Sequence, residues 1–123
     1  MSDLSVSAKF VPEKLKAYAK NEAIMIISLG NANKTNHYWC ECDVNVKSPL
    51  SLAHDRELDT GRTRMGIVHP ESTIEKQIKI YTRPNNFPDG YAVKITAYAY
   101  DHDGAISERI ELQATIECEN EPK

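Results

Sequence analysis

The sequence predicts an all-β domain built from antiparallel strands. Apolar and polar residues alternate with period two along most of the chain, which is the pattern of half-buried strands. The predicted strands are short and are separated by turns without helical crossovers, a combination typical of an antiparallel sandwich or barrel. At 123 residues, the chain is long enough for one such domain, and we expect it to span residues 1–123 with a frayed tail at 119–123.

The first half of the chain predicts three strands. Residues 4–10 alternate and end before Pro12. Residues 23–29 form a continuous apolar run closed by Gly30, which predicts a central strand buried on both faces. Residues 38–46 alternate most clearly of all, with Tyr38, Cys40, Cys42, Val44 and Val46 as the apolar set. Residues 13–20 are compatible with a helix, but their apolar stripe covers only one turn.

The second half predicts two weak strands and three strong ones. The weak strands, at 50–52 and 65–68, flank a charged segment at 55–64 that we expect to be a loop. The strong strands cover 73–80, 91–99 and 106–118. A long turn at 83–90 precedes the second of these, and Asp101 to Gly104 predicts a tight turn before the third, because glycine tolerates the positive φ that such a reversal often needs.

The turns around the penultimate strand resemble those of immunoglobulin-like domains. The run Pro88-Asp89-Gly90-Tyr91-Ala92-Val93 matches the Asp-x-Tyr-x-apolar opening of that strand, whose tyrosine ties the corner to the backbone. Residues 24–31, followed by the Gly-x-x-x-Pro-x-Ser pattern of residues 66–72, resemble the adhesion-type modules of bacteria and archaea. The resemblance implies an Ig-like β-sandwich of about seven strands, without the disulfide of antibody domains, because Val93 and Ile26 or Ile27 stand at the cysteine positions.

Composition excludes several classes of function. Fifteen Lys and Arg against 18 Asp and Glu give a net charge of −3, so we expect no nucleic-acid partner, since such binders are usually basic. No apolar run approaches the ~20 residues needed to span a bilayer, so we expect no membrane partner. The first residues do not resemble a secretory signal, and the three cysteines are an odd number, which together favour the cytoplasm.

The candidate binding site is an aromatic patch on the outer face of one sheet. If the alternating apolar sets face the core, Trp39 and Glu41 point outward from one strand, and Lys94, Thr96, Tyr98 and Tyr100 point outward from another. Neighbouring positions of these strands in an Ig-like sheet would bring the aromatic rings together, with Lys94 and Glu41 at the rim. Exposed large aromatics are typical of protein interfaces, although a core position for Trp39 is the alternative.

The three cysteines suggest a second hypothesis. Cys40 and Cys42 share one face of a strand, and His37 or Cys118 would complete a small metal-binding or redox module. Cys118 could meet either of them across a sheet. The alternative is that all three are small buried hydrophobic residues. No second Cys/His cluster completes a zinc site, and we expect no cofactor and no resident metal.

Other motifs carry weaker signals. The sequence Asp101-His102-Asp103-Gly104 with Glu108 contains part of a calcium-loop pattern but not its full spacing, which favours a hairpin turn. Arg62 and Arg64 are candidates for a phosphate contact, but nearby acidic residues would cancel much of their field. Because the sequence contains no known catalytic motif, it favours a non-enzymatic module that binds another protein or itself, with a homodimer as the simplest form.

Overall fold

The computed structural model describes residues 3–47, 49–82, 84 and 86–119, and these residues form strands and loops without a helix. The all-β prediction is therefore confirmed. The described residues form nine strands rather than about seven, because two short strands add to the seven long ones. The strands are β1 (Leu4–Val11), β2 (Lys14–Lys16), β3 (Asn21–Asn31), β4 (Tyr38–Asn45), β5 (Leu50–Ser51), β6 (Thr60–Val68), β7 (Ser72–Thr82), β8 (Asp89–Tyr100) and β9 (Ile106–Glu119).

The strands are arranged in two sheets. One has four strands in the order β1-β3-β7-β5, and the other has five in the order β2-β9-β8-β4-β6. All neighbours are antiparallel except β2, which runs parallel to the end of β9. Within the described ranges, no helix is long or apolar enough to cross a membrane.

A single hydrophobic core lies between the two sheets. The four-stranded sheet contributes alternate residues of β3, namely Ala23, Met25, Ile27 and Leu29. The five-stranded sheet contributes the predicted apolar sets of β4 and β8, including Cys40, Cys42, Val44, Val93, Ile95 and Ala97. The prediction that β3 is buried on both faces is wrong, because its intervening residues are half-buried or exposed.

Two segments differ from their sequence-based interpretation. The charged segment at 55–64 is only partly a loop, because β6 begins at Thr60 and pairs with β4 along its whole length. The helix-compatible segment at 13–20 contains strand β2, which pairs with residues 117–119 of β9. In both cases pairing with a neighbouring strand outweighs the weak local preference of the sequence.

The turns before and after β8 agree with their predicted chemistry. Arg83 and Asn85 of the predicted long turn lie outside the described residues. At its end, the Tyr91 hydroxyl donates a hydrogen bond of 2.5 Å to the carbonyl oxygen of Phe87, four residues upstream. At the other end of β8, the Asp101 carboxylate accepts hydrogen bonds from the amides of Asp103 and Ala105, and Gly104 has a φ of +82°.

Candidate functional site

Four of the five predicted binding residues lie together on the outer face of the five-stranded sheet. Trp39 of β4 is directly opposite Tyr100 of β8, and Glu41 is opposite Tyr98. Directly opposite residues in an antiparallel pair project to the same face. Trp39 is 39% exposed, so its place is on the surface and the alternative core position is excluded.

The aromatic pair is the centre of a longer apolar row. Trp39 is also opposite Ile67 of β6, and Tyr100 is also opposite Ile106 of β9. The row therefore runs across four neighbouring strands. Ile67 is 46% exposed and Ile106 is 58% exposed. We call these four residues the apolar row: Ile67, Trp39, Tyr100 and Ile106.

Sequence reasoning missed Ile67 and Ile106 because a register irregularity adjoins each of them. The β4–β6 register shifts between Cys40 and Glu41, and Gly66, at this shift, has a φ of +105°. As a result Met65 and Val68 are both buried while Ile67 points outward. The β8–β9 register also shifts, so that Tyr100 pairs with Ile106. An extra residue in one strand reverses the side-chain alternation beyond it. A glycine inside a strand pattern is a sequence sign of such a shift; Gly66 supplies that sign for β6, and β9 contains no glycine.

Next to the apolar row, the outer face carries a network of charges on β4 and β6. The Arg62 guanidinium forms two hydrogen bonds with the Asp43 carboxylate, at 2.7 and 3.0 Å, and lies 3.6 Å from a Glu41 oxygen. It also lies over the Tyr98 ring, 5.4 Å from the centroid. The Trp39 indole N–H donates to Glu41 at 3.3 Å. These contacts orient the Trp39 indole within the apolar row and hold Arg62 over the Tyr98 ring beside it.

A second charged group lies on β8 and β9. The Arg109 guanidinium lies 2.6 Å from the Glu111 carboxylate, and the Lys94 ammonium lies 3.7 Å from the same side chain. Thr96, expected to point outward, is buried, since it lies between Asp43 and Glu111 in one row of the sheet. The outer face is thus apolar at one end and ion-paired along its middle.

Lys94 does not lie at the rim of the aromatic patch. It pairs with Asn45 in the β4–β8 register, six residues along β8 from Tyr100, which corresponds to about 20 Å. There it lines a groove of about 660 Å³ together with Asn45, Asp59 and Gln113. The sequence interpretation placed Lys94 on the correct face but did not account for the distance along the strand.

The ionisation of the outer face follows from its ion pairs. The hydrogen bond from Arg62 is the main cause that lowers the pKa of Asp43, although burial opposes it. The same carboxylate raises the pKa of Arg62. Both groups therefore stay charged at neutral pH, and neither is poised to transfer a proton.

The structure places the two cysteines of the suggested metal or redox module in the hydrophobic core. Cys40 and Cys42 are completely buried among core residues, and burial raises the pKa of their thiols to about 11 and about 12. Thiolates, rather than thiols, bind metals and act as nucleophiles. Among the residues that the structure describes, no three His, Cys, Asp or Glu side chains are grouped so as to hold a metal ion.

Cys118 and His37 are also badly placed to join the pair. Cys118 pairs with Asp89 and Cys40 pairs with Ala99, so they lie ten residues apart along β8, or about 33 Å. The structure therefore does not bring Cys118 beside Cys40 or Cys42. His37 precedes β4 and is exposed, with its ring 6.4 Å from that of His69.

Comparisons with known proteins bear on the fold alone. Neither a protein-family model nor a curated protein sequence matches the chain. Its fold is similar to that of the bacterial hydrophobin BslA, with a TM-score of 0.59 at 9% identity over 100% of this chain and 98% of the other. AvmM, which catalyses macrocyclisation in alchivemycin A biosynthesis, gives 0.60 at 8% identity over 100% and 92%. The sporulation control protein Spo0M from Bacillus subtilis gives 0.51 at 12% identity over 98% and 51%.

Proposed function

We propose that this chain is a non-enzymatic protein-interaction module that associates through the outer face of its five-stranded sheet. The observation that carries the proposal is the apolar row, which crosses four strands on a surface that nothing in the described part of the chain covers. Proteins of similar fold include both a hydrophobin and a macrocyclisation catalyst, so the fold does not decide the function.

The composition of the outer face supports this function. Interfaces commonly have an apolar centre with aromatic anchors and a polar rim. Here Trp39 and Tyr100 supply the aromatic residues and Ile67 and Ile106 extend them. Glu41 and Arg62 supply polar groups that are already oriented by ion pairs, so little side-chain entropy would be lost when a partner binds.

We also propose that the fold is an Ig-like β-sandwich related to the adhesion-type modules. Two observations support this. The strand order places β4 beside β8 in one sheet and β1, β3 and β7 together in the other, which agrees with the arrangement of strands A, B, E and C, F, G. The Tyr91 hydroxyl bonds to the backbone upstream, as in a tyrosine corner.

The state of the cysteines supports a reducing compartment, and we propose the cytoplasm. All three are free and buried. Buried thiols with raised pKa values are unreactive and contribute to the core as small apolar groups. A nucleophilic or redox role would require an accessible thiolate. The burial of all three thiols therefore supports a module without thiol chemistry.

Sedimentation velocity over a range of concentrations tests the proposal. We expect the wild type to associate reversibly, and Trp39→Ser to weaken association about tenfold or more, as the loss of an aromatic anchor does. Phe87→Ser is the matched control, because Phe87 is 58% exposed but lies outside the outer face. A wild type that stays monomeric up to millimolar concentration, or equal effects of the two substitutions, would contradict the proposal.

A further inference from the structure

The pattern of residues on the outer face points to a specific partner and a specific arrangement. We propose that the partner is a second copy of this chain, stacked face to face with its two-fold axis running along the strands between β4 and β8. This inference rests on the proposed function and identifies the partner of the same surface.

Three rows of the sheet describe the surface. The first is the apolar row. The second contains Arg64, Glu41, Tyr98 and Arg109, in the strand order β6-β4-β8-β9. The third contains Arg62, Asp43, Thr96 and Glu111 in the same order. A symmetric dimer places each of these positions over one position of the same set in the partner.

A rotation of 180° about an axis that runs along the strands, midway between β4 and β8, places β4 of one copy over β8 of the other and β6 over β9. Each row then lies over the same row of the second copy. Ile67 then lies over Ile106 of the second copy, and Trp39 lies over Tyr100 of the second copy. In the third row, Arg62 lies over Glu111 of the second copy, which pairs opposite charges at both edges of the interface. Arg64 over Arg109 is the one unfavourable pair. The strands of the two sheets remain nearly aligned, as in ordinary sheet packing, with the angle of about 30° that twist imposes.

An axis across the strands, which keeps each strand over itself and exchanges rows, is less favourable. Placed between the second and third rows, it gives one opposite-charge pair, Arg109 over Glu111 of the second copy, but it also puts Arg64 over Arg62 and Glu41 over Asp43. Like charges in a desolvated interface are costly. Placed on the apolar row, it matches apolar residues but leaves the charged rows outside the contact. Only the axis along the strands covers both the apolar row and the charges.

The size of the face is sufficient for a reversible dimer. The four strands of the rows, spaced about 4.8 Å apart over a length of about 20 Å, give a projected area of roughly 400 Å². Two copies would together bury on the order of 800 Å², which is in the range of weak, transient interfaces rather than stable ones. We therefore expect a dimer that dissociates on dilution rather than an obligate one.

Cross-linking of two cysteine variants tests the arrangement. Ile67→Cys and Ile106→Cys place new thiols at exposed positions, whereas the three natural cysteines are buried. We expect a short bismaleimide to link the two variants when they are mixed, and to link either variant alone far less. In the proposed dimer, two copies of one variant hold their new thiols about three strand spacings apart, or roughly 14 Å, in addition to the separation of the sheets.

The other outcomes separate the arrangement from the function. If sedimentation shows a Trp39-dependent dimer but cross-links form in either variant alone, or in no combination, the arrangement is wrong and the proposed function stands. If the protein does not associate at all, both fail. A charge reversal gives a second measurement: Glu111→Lys should weaken the dimer about tenfold at low salt, whereas Glu13→Lys, which changes the net charge equally but lies outside the face, should not.

Discussion

At the scale of single residues, the two features most easily tested are Tyr91, at the corner where β8 begins, and the buried thiols. Tyr91 is partly buried against the core, and its hydroxyl is hydrogen-bonded to the Phe87 carbonyl. The pKa of Tyr91 is raised, and burial of the side chain is the main cause. The ring and the hydroxyl should therefore make separate contributions to stability.

We expect Tyr91→Phe to lower the free energy of unfolding by about 0.5–1.5 kcal/mol, the net value of one hydrogen bond. Tyr91→Ala should cost roughly 3 kcal/mol, since it also removes apolar contacts. Denaturant melts measure both, with Tyr18→Phe as the control at an exposed tyrosine. Neither substitution should change association, because Tyr91 is not part of the outer rows. A silent Tyr91→Phe together with a loss below about 1 kcal/mol in Tyr91→Ala would show that the corner is not structural.

The thiols should be unreactive in the folded protein. Because burial raises the pKa values of Cys40 and Cys42 to about 11 and about 12, both remain protonated at pH 8. We expect a disulfide reagent at pH 8 to react with all three cysteines in guanidinium chloride and with none rapidly in native buffer. Fast reaction of one thiol in the native protein would contradict this and would support thiol chemistry.

The same pKa shifts predict a loss of stability in alkali. The unfolded chain ionises these thiols near pH 8.5, whereas the folded chain keeps them protonated, so stability is retained below that pH and falls as the pH rises above it. Replacing both residues with Ala removes this dependence while lowering stability at neutral pH. Denaturant melts between pH 7 and 10 provide the comparison.

At the scale of strands, alternation in the sequence was sufficient to predict the core sets of β4 and β8, and hence that Trp39, Tyr98 and Tyr100 point outward. The start of β6 was not predictable in the same way. Its residues Arg62 and Arg64 suggest a loop in isolation, and they form a strand because Asp43 and Glu41 lie opposite. Local patterns cannot show such cross-strand pairing, and apart from Gly66 they do not mark the register shifts that expose Ile67 and Ile106.

The ion pair between Arg62 and Asp43 predicts a pH-dependent contribution to the β4–β6 pairing. We expect Asp43→Asn to lower stability by about 0.5–1 kcal/mol at pH 7, a modest value because the Arg62 side chain is half-exposed. The folded-state pKa of Asp43 is lowered, so the contribution is complete above the ordinary aspartate pKa of about 3.9 and is lost as the pH falls through the lowered value. Urea melts at a series of pH values from 7 downward should show a difference between wild type and variant that is constant above about pH 4 and shrinks as the pH falls below it.

A glycine at the β4–β6 register shift should be sensitive to substitution. Gly66 has a φ of +105°, and a side chain added there would meet no atom within 4 Å. Any cost of Gly66→Ala therefore reflects backbone strain, of about 1–2 kcal/mol. Gly61→Ala is the control, because its added carbon would meet only the flexible end of Leu52. Equal thermal stability of the two variants would contradict the role assigned to Gly66.

At the scale of the whole molecule, the two sheets share one core. The outer face of the five-stranded sheet is apolar at one end and ion-paired in the middle. The sequence predicted the face and its aromatic residues. It did not predict the extent of the apolar row, because the two isoleucines join it only through the register shifts. The central claim is that association covers this row.

The most direct measurement uses Trp39, the single tryptophan of the chain, as a reporter of the outer face. We predict that its emission moves to shorter wavelength and that acrylamide quenches it less as protein concentration rises, with the same midpoint as dimer formation by sedimentation. Emission and quenching that do not change while the protein dimerises would place the interface elsewhere and contradict the claim.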